Sequence, residues 1–289
     1  MSYEYYIGMI DKESVLVECG PMRLVIRAWN GGQPEIKLTR LAAEVSISYL
    51  ERIARWRSLL SRPTPQIEEL PQDKLGLCMV ADANAIGDDD LTPLAAVAGT
   101  IADAVADWLF DRGTTRVIVE NGGDIAIRLA VGETTTVGVR PQVNSRQISH
   151  VIRLEGSRAA WGVATSGVGG RSLTRGIASA VTVVAANASV ADAAATAIGN
   201  ACFVKDDGVI QLPAESIDPN TDLAGLSVTA EVGILSTEKV LQAIESARRK
   251  AALLAHRKTI LGAFIALQNV FAITDGLKPF ISSVSGAGG

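Results

Sequence analysis

Asp192 and Thr196 stand four residues apart in SVADAAATAIGN (189–200), a segment that reads as helix. That spacing sets a carboxylate and a hydroxyl on one helical face. Upstream, the chain from Trp161 reads as a short strand ending in Thr165-Ser166-Gly167. A glycine-rich loop through Arg175-Gly176 and a β-branched strand from Ser179 to Ala186 follow. Two oxygens at the positive end of a helix, beside a loop able to present free N–H groups, suit a hard cation that bridges to a phosphate. The same residues also fit a simpler purpose. Ser189 can cap the helix, Asp192 stands where the acidic residue of a capping box does, and Thr196 can bond back to the carbonyl of Asp192. Spacing alone leaves both readings open and puts capping first.

A second group is Asn121-Gly122-Gly123-Asp124, between the β-rich runs Thr115 to Glu120 and Asp124 to Leu129. Asn-Gly between two such runs is a hairpin signal, and the glycines would equally let the backbone approach a flat or phosphorylated ligand. In the glycine-rich loop, Arg171 and Arg175 could meet anionic groups. Ser166 or Thr165 could serve as a nucleophile only with a base nearby. The two histidines, His150 and His256, have no cysteine, histidine or carboxylate at ligand spacing and read as surface residues, which weakens a histidine-based triad. Cys19, Cys78 and Cys202 are odd in number, widely spaced and set in apolar surroundings, a pattern of buried free thiols rather than disulfides or zinc.

With 289 residues, 48% hydrophobic and 20% charged, the chain is long and apolar enough for one large globular domain or two lobes. A net charge of -4 with no lysine-arginine run gives no reason to expect nucleic acid or an anionic membrane as partner. The first residues carry no basic region followed by an apolar core. No uninterrupted apolar stretch reaches the length of a membrane span, about 20 residues. The expected location is the cytoplasm.

The elements that must position these groups follow from periodicity. Ser14 to Cys19 and Met22 to Ala28 are β runs around Gly20-Pro21, and Thr39 to Ser61 has helical spacing with Leu41, Val45 and Leu50 on its apolar face. Gln66 to Asp90, rich in proline and acid, reads as a long connection. Leu94 to Arg112 is an alanine-rich helix whose small residues, Gly99 among them, permit a close backbone approach or leave space for a ligand. Residues 14–129 thus read ββααββ, which argues for an α+β fold with antiparallel sheets rather than a doubly wound parallel one. Strands near Thr135 to Val139, Ser149 to Leu154, Ala160 to Ala164 and Ala180 to Ala185 precede the Asp192 helix, repeating the theme less cleanly. A basic amphipathic helix, Thr237 to Lys258, late strands within Ile260 to Ile273 and a loose tail from Ser282 complete the chain. The expected divisions are 1–130, 131–235 and 236–289.

Four segments together, TPLAAVAGTIADAV (92–105), VIVENGGDIAIRL (117–129), GVATSGVGGRSLTRGIASAVTVVA (162–185) and SVADAAATAIGNA (189–201), resemble the ApbE-like superfamily of FAD:protein FMN transferases, and most nearly its shorter branch. The resemblance implies duplicated T-fold-like ββααββ subdomains and a flavin-nucleotide site. It also implies Mg2+ held by Asp192, Thr196 and a carbonyl from Ala96 or Ala98. It places Asn121, Gly122, Gly123, Asp124, Gly167 and Gly169 at the cofactor, Thr165 and Ser166 in the family's Thr-Ser-Gly segment, and Arg171 and Arg175 against its charge. The sequence departs from the transferases in two respects: the lysine of their alanine-rich segment has no counterpart, Gly99-Thr100 standing in that region, and a second motif is missing. Their His-x-x-Asp-Pro-x-Thr-Gly motif is replaced by VGGRSLTRGI (168–177), which has no histidine, aspartate or proline.

Three functions follow as expectations. One is a magnesium-dependent, FMN-transferase-like enzyme acting on FAD or another phosphorylated or acidic small molecule. The second is a protein that holds a flavin or nucleotide without turning it over. The third is a hydrolase of a different small acidic substrate, with Ser166 or Thr165 as nucleophile. The expected partners are a small-molecule ligand and a second copy of the chain in a homodimer.

Overall fold

The structure, a computed structural model, describes residues 3–284. In chain order the elements are β1 (Tyr5–Met9), β2 (Val15–Cys19), β3 (Met22–Asn30), β4 (Gln33–Pro34), α1 (Ile36–Ala54), α2 (Arg57–Leu60), α3 (Lys74–Ile86) and α4 (Val97–Phe110). Strands β5 (Arg116–Asn121), β6 (Asp124–Leu129), β7 (Thr134–Val139), β8 (His150–Glu155), β9 (Ala160–Ser166) and β10 (Ala180–Ala185) follow, then α5 (Ala188–Ala201). The chain ends with β11 (Val209–Pro213), α6 (Ala214–Ile217), β12 (Ser227–Val232), α7 (Thr237–His256), β13 (Gly262–Leu267), β14 (Val270–Ile273) and β15 (Ile281–Ser283). The chain is a mixed α/β protein with antiparallel sheets, in two compact units, neither continuous in sequence.

Unit 1 comprises Met1–Thr135, Glu155–Ala164 and Ala185–Ala193. Its strands run in the order β1-β2-β3-β5-β6-β9, every pair antiparallel, with β4 on β3. Alternation buries Val15, Val17, Leu24, Ile26, Val117 and Val119 on the face that α1 and α4 cover. On α1 the buried stripe is Thr39, Ala42, Ala43, Ser46, Leu50 and Ile53, so small side chains let the helix lie close to α4, while Leu41 points outward at 51% exposure. The helix expected to continue to Ser61 ends at Ala54, and α2 takes up the remainder.

The expected connection Gln66 to Asp90 instead contains α3. Asp73 caps it by accepting from the Leu75 N–H at 2.8 Å and also pairs with Arg52 at 2.8 Å; Gly87, at φ 66°, ends it in the left-handed region. Between β4 and β5 the expected pair of helices is therefore four, α1 to α4, the short α2 among them. Pro93–Phe110, a 3-10 turn followed by α4, is the one segment among the described residues long and apolar enough in composition to cross a membrane. Here it is a core helix packed on β5 and β6. Cys19 is buried as expected, but Cys78 on α3 is exposed because it lies on that helix's outer side.

Unit 2 comprises Thr136–Leu154, Thr165–Val184 and Ala194–Gly289. Strands β10, β13 and β14 pair antiparallel in that order, β8 lies between β15 and β7, and β11 pairs with β12. Helix α7 packs on β13 and β14. His150, expected at the surface, is 7% exposed: its ring centroid lies 5.0 Å from that of Phe264 and 5.1 Å from that of Phe271. Ser282 and Ser283, expected in a loose tail, pair with β8; the tail beyond Val284 lies outside the described residues.

Candidate functional site

The hairpin β5–β6 turns through Gly122 at φ 68° and Gly123 at φ 123°, conformations that favour glycine, and sets Asn121 directly opposite Asp124. Cross-strand partners share a face, and alternation places Asn121 with Val117 and Val119 on the side that α4 covers. Asn121 is 5% exposed. Its Nδ2 donates to the Ala98 carbonyl at 3.1 Å, and its Oδ1 accepts from the Arg23 N–H at 3.4 Å. The amide thus ties the sheet to the first turn of α4.

That first turn rests on the start of α5. A Cβ on Gly99 would lie 2.3 Å from the Ala188 carbonyl oxygen, so only glycine allows the crossing. Here the close approach serves backbone packing. The Gly99 N–H donates to Asp192 Oδ2 at 3.0 Å, and Asp192 also draws on the Ala98 N–H. The cap residue of α4, Ala96, has no side chain able to do this. Asp192 therefore caps α4, a different helix from its own, by satisfying N–H groups that the first turn leaves open.

The reverse also holds. Asp103 on α4 accepts from the Ser189 N–H at 2.9 Å and from Ala188, while Asn187 Oδ1 accepts from the Val190 N–H at 3.1 Å. Asn187 is thus the cap of α5. Ser189 is not: its hydroxyl donates to Asp82 in a short bond. Asp192, the fifth residue of the helix, is no capping-box partner. The expected reading of Ser189 and Asp192 as a cap of their own helix is corrected, and side chains already occupy the N–H groups of this helix start.

The two helices therefore exchange caps, but with different charges around them. Asp103 is clamped by Arg128, which is 5% exposed and reaches Asp103 at 3.0 Å, Asp107 at 2.6 Å and the Ile127 carbonyl at 3.1 Å. Burial raises the Asp103 carboxyl, and Arg128 opposes that rise. Asp192 faces Asp124 instead. Burial and the neighbouring Asp124 carboxylate push Asp192 well above the usual carboxylate range, against the pull of the Gly99 and Ala98 N–H groups. Asp82 is raised by burial and by Asp103, with the Ser189 hydroxyl opposing.

The expected ligand-facing loop belongs to unit 2. The Thr165 and Thr182 hydroxyls share a bond of 2.9 Å, and Ser166 beside them is partly buried. A Cβ on Gly167 would meet the Ser179 carbonyl at 2.7 Å, whereas Gly169, at φ 82°, and Arg171 are exposed. Arg175 is fixed through its backbone: its N–H donates to Asn200 Oδ1 at 2.9 Å, and its carbonyl accepts from Gln211 Nε2 at 3.0 Å. Thr196 lies one turn beyond Asp192 on α5, and the boundary between the units falls between them.

Sequence reasoning missed Asp82, Asp103, Arg128 and Asn200. Two charges at helical spacing, Asp103 and Asp107, inside an otherwise apolar helix were the available signal for the first cluster.

Among the described residues no group of three or more His, Cys, Asp or Glu side chains is arranged to enclose a metal ion. The donor set nevertheless has the chemistry of a hard cation: carboxylates of Asp192 and Asp124, with amide and backbone oxygens alongside. The Ala96 and Ala98 carbonyls expected as donors already accept from Thr100 Oγ1 at 2.7 Å and from Asn121 Nδ2 at 3.1 Å, and as the cap and second residue of α4 they also face the backbone N–H groups of the next helical turn.

The sequence model of the family AbpE bacteria matches residues 8–275. The chain belongs to this family. The resemblance carried by the four segments is borne out. Similar proteins include a UPF0280 protein of Methanococcus vannielii, 32% identical over 170 residues, which span 58% of this chain and 69% of the relative. A UPF0280 protein of Archaeoglobus fulgidus is 39% identical over 125 residues, 43% of this chain and 48% of the relative. Among solved structures, the flavinyl transferase ApbE of Pseudomonas stutzeri in its apo form superposes with a TM-score of 0.52 at 13% identity, covering 97% of this chain and 98% of that one. The likeness to that structure is one of fold.

Proposed function

We propose that this member of the family binds a phosphorylated, acidic small molecule of the flavin-nucleotide class, FAD foremost, through Mg2+ at Asp192 and Asp124. The observation that carries the reading is the asymmetry of the exchanged caps. Asp103 and Asp192 do the same structural task, but Asp103 is given Arg128 and Asp192 is given a second carboxylate. Capping alone calls for no such neighbour, whereas a divalent cation does. Asn121 holds the Ala98 backbone and the hairpin in register, Gly122 and Gly123 keep the turn low, and Thr196 offers a further hard oxygen along α5. A bound magnesium ion would neutralise phosphate charge and polarise a phosphoryl oxygen.

FMN-transferase-like chemistry and the duplicated T-fold-like arrangement are the finer parts of this proposal, supported by family membership. A second reading, a protein that holds the flavin without turnover, is favoured by the loop at 168–177. It lacks histidine and carboxylate, and its Thr174 to Ile177 backbone is engaged by Asn200, Thr229 and Cys202.

Calorimetric titration with FAD, with and without Mg2+, tests the binding. The wild type should bind saturably only with magnesium, and Asp124→Asn should lose that dependence while staying folded. Equal binding with and without magnesium, or an unaltered response in Asp124→Asn, would leave Asp192 as a structural cap only.

A further inference from the structure

We propose that Asp103 is a positioning residue for Asp192, holding the start of α5 against α4 so that the Asp192 carboxylate is presented at the hairpin. This rests on the reading of Asp192 as a cation ligand and gives Asp103, which that reading uses only as a contrast, a role of its own. Asp103 divides its two oxygens between two tasks. Oδ1 meets Arg128 Nη2 at 3.0 Å, and Oδ2 takes the Ser189 N–H at 2.9 Å, three residues before Asp192. Arg128 is itself fixed at 2.6 Å by Asp107, one turn along α4, and at 3.1 Å by the Ile127 carbonyl in β6. The chain of contacts therefore runs from the sheet through Arg128 to Asp103 and from there to the first turn of α5. From Ser189 one further turn of rigid helix leads to Asp192.

The geometry at the far end is demanding. Asp192 must meet the Gly99 N–H at 3.0 Å while the Gly99 backbone presses on Ala188. A helix start free to slide would lose this bond first. Ser189 adds a second tether through Asp82 on α3, so α3 and α4 both hold α5.

The test is amide hydrogen exchange by NMR on the full chain, with Mn2+ titration followed by water proton relaxation as a separate probe of the cation. In Asp103→Asn the Gly99 amide, which its own helix does not satisfy, should lose protection by about tenfold or more, the scale of one charge-assisted hydrogen bond. Amides of β2 and β3 should stay near their wild-type rates, and Mn2+ affinity should fall alongside Gly99. Should Asp103→Asn fail to fold, Arg128→Lys keeps the charge but not the fork and should give a smaller loss at the same amide. Unchanged Gly99 protection overturns the proposal, as does an equal loss at every amide, which marks only a global weakening. If the wild type takes up no Mn2+ while the Gly99 amide responds, the positioning role stands and the cation reading falls.

Discussion

Gly99→Ala tests the helix crossing on which the candidate site depends. The new Cβ would start 2.3 Å from the Ala188 carbonyl oxygen, 2.4 Å from its carbon and 2.6 Å from the Ser189 nitrogen, all backbone atoms that no rotamer change can move. Real Cβ contacts essentially never fall below 3.0 Å, so α4 and α5 must separate by about 0.7 Å or more, a typical overpacking response. The exchanged bonds, 3.0 Å at Asp192 and 2.9 Å at Asp103, would then pass beyond hydrogen-bond reach. Each is charge-assisted and contributes about 1.5–3 kcal/mol. Against this, alanine improves helix propensity by at most about 1 kcal/mol. The expected net loss is about 2–5 kcal/mol, read as a lower urea midpoint by tryptophan fluorescence with the slope unchanged. A variant as stable as the wild type, or more so, would mean that the propensity gain outweighs the crossing and that the close approach at Gly99 does not constrain α5.

Two further outcomes concern other parts of the fold. Burial lowers the His150 pKa between Phe264 and Phe271, so the unfolded state binds a proton that the folded state refuses. Stability should therefore be complete above the unfolded value of about 6.5 and decline as pH falls through it. Thermal melting between pH 5 and 8 should show a slope that His150→Gln flattens, and equal slopes would refute the assignment. Asp73→Ala should cost about 1–2 kcal/mol in urea unfolding through loss of the α3 cap, and less than 0.5 kcal/mol would show that the cap and the partly exposed Arg52 pair contribute little.

Strands β2, β3, β5, β6 and β10 fall within a residue or two of the runs marked by β-branched residues and turn glycines, whereas β13, buried at every position, lies inside an apolar stretch that gave no boundaries of its own. Helix α3 was not, because the proline and acid residues around it suggest a loop, although Asp73 and Gly87 bound it as start and stop signals. The site was legible only in part. Asn121-Gly122-Gly123-Asp124 announces its turn locally, and Asp192 stands out on a helix. The partner that fixes Asp192, however, is Gly99, 93 residues away, and the groups that fix its helix are Asp103, 86 residues from Ser189, and Arg128. Asn187 and Ser189 both suit a cap, and local sequence cannot choose between them. Here the choice follows from Asp82 and Asp103 taking Ser189 for another purpose.

The exchange of caps also bears on what a site at Asp192 can do. A carboxylate that already accepts from two backbone N–H groups is fixed in orientation, so binding a cation would cost it little side-chain entropy. The N–H groups of the helix end pull its pKa down, but burial and Asp124 outweigh that pull, so an arriving cation would have to displace a proton held more tightly than usual. Asp124 is placed by the sheet rather than by a helix. It sits at the first residue of β6, opposite an Asn121 already committed to Ala98, at a position where aspartate is a poor strand former. Repulsion between the two carboxylates is a cost to the fold that a hydrophobic or amide residue at 124 would remove. A cation would turn that cost into affinity, because charges that repel in the free protein attract the same ion when it arrives. On the proposed reading, one member of the pair is held rigidly through α4 and the other stands at a hairpin turn, which is what uptake of an ion together with its phosphate would require.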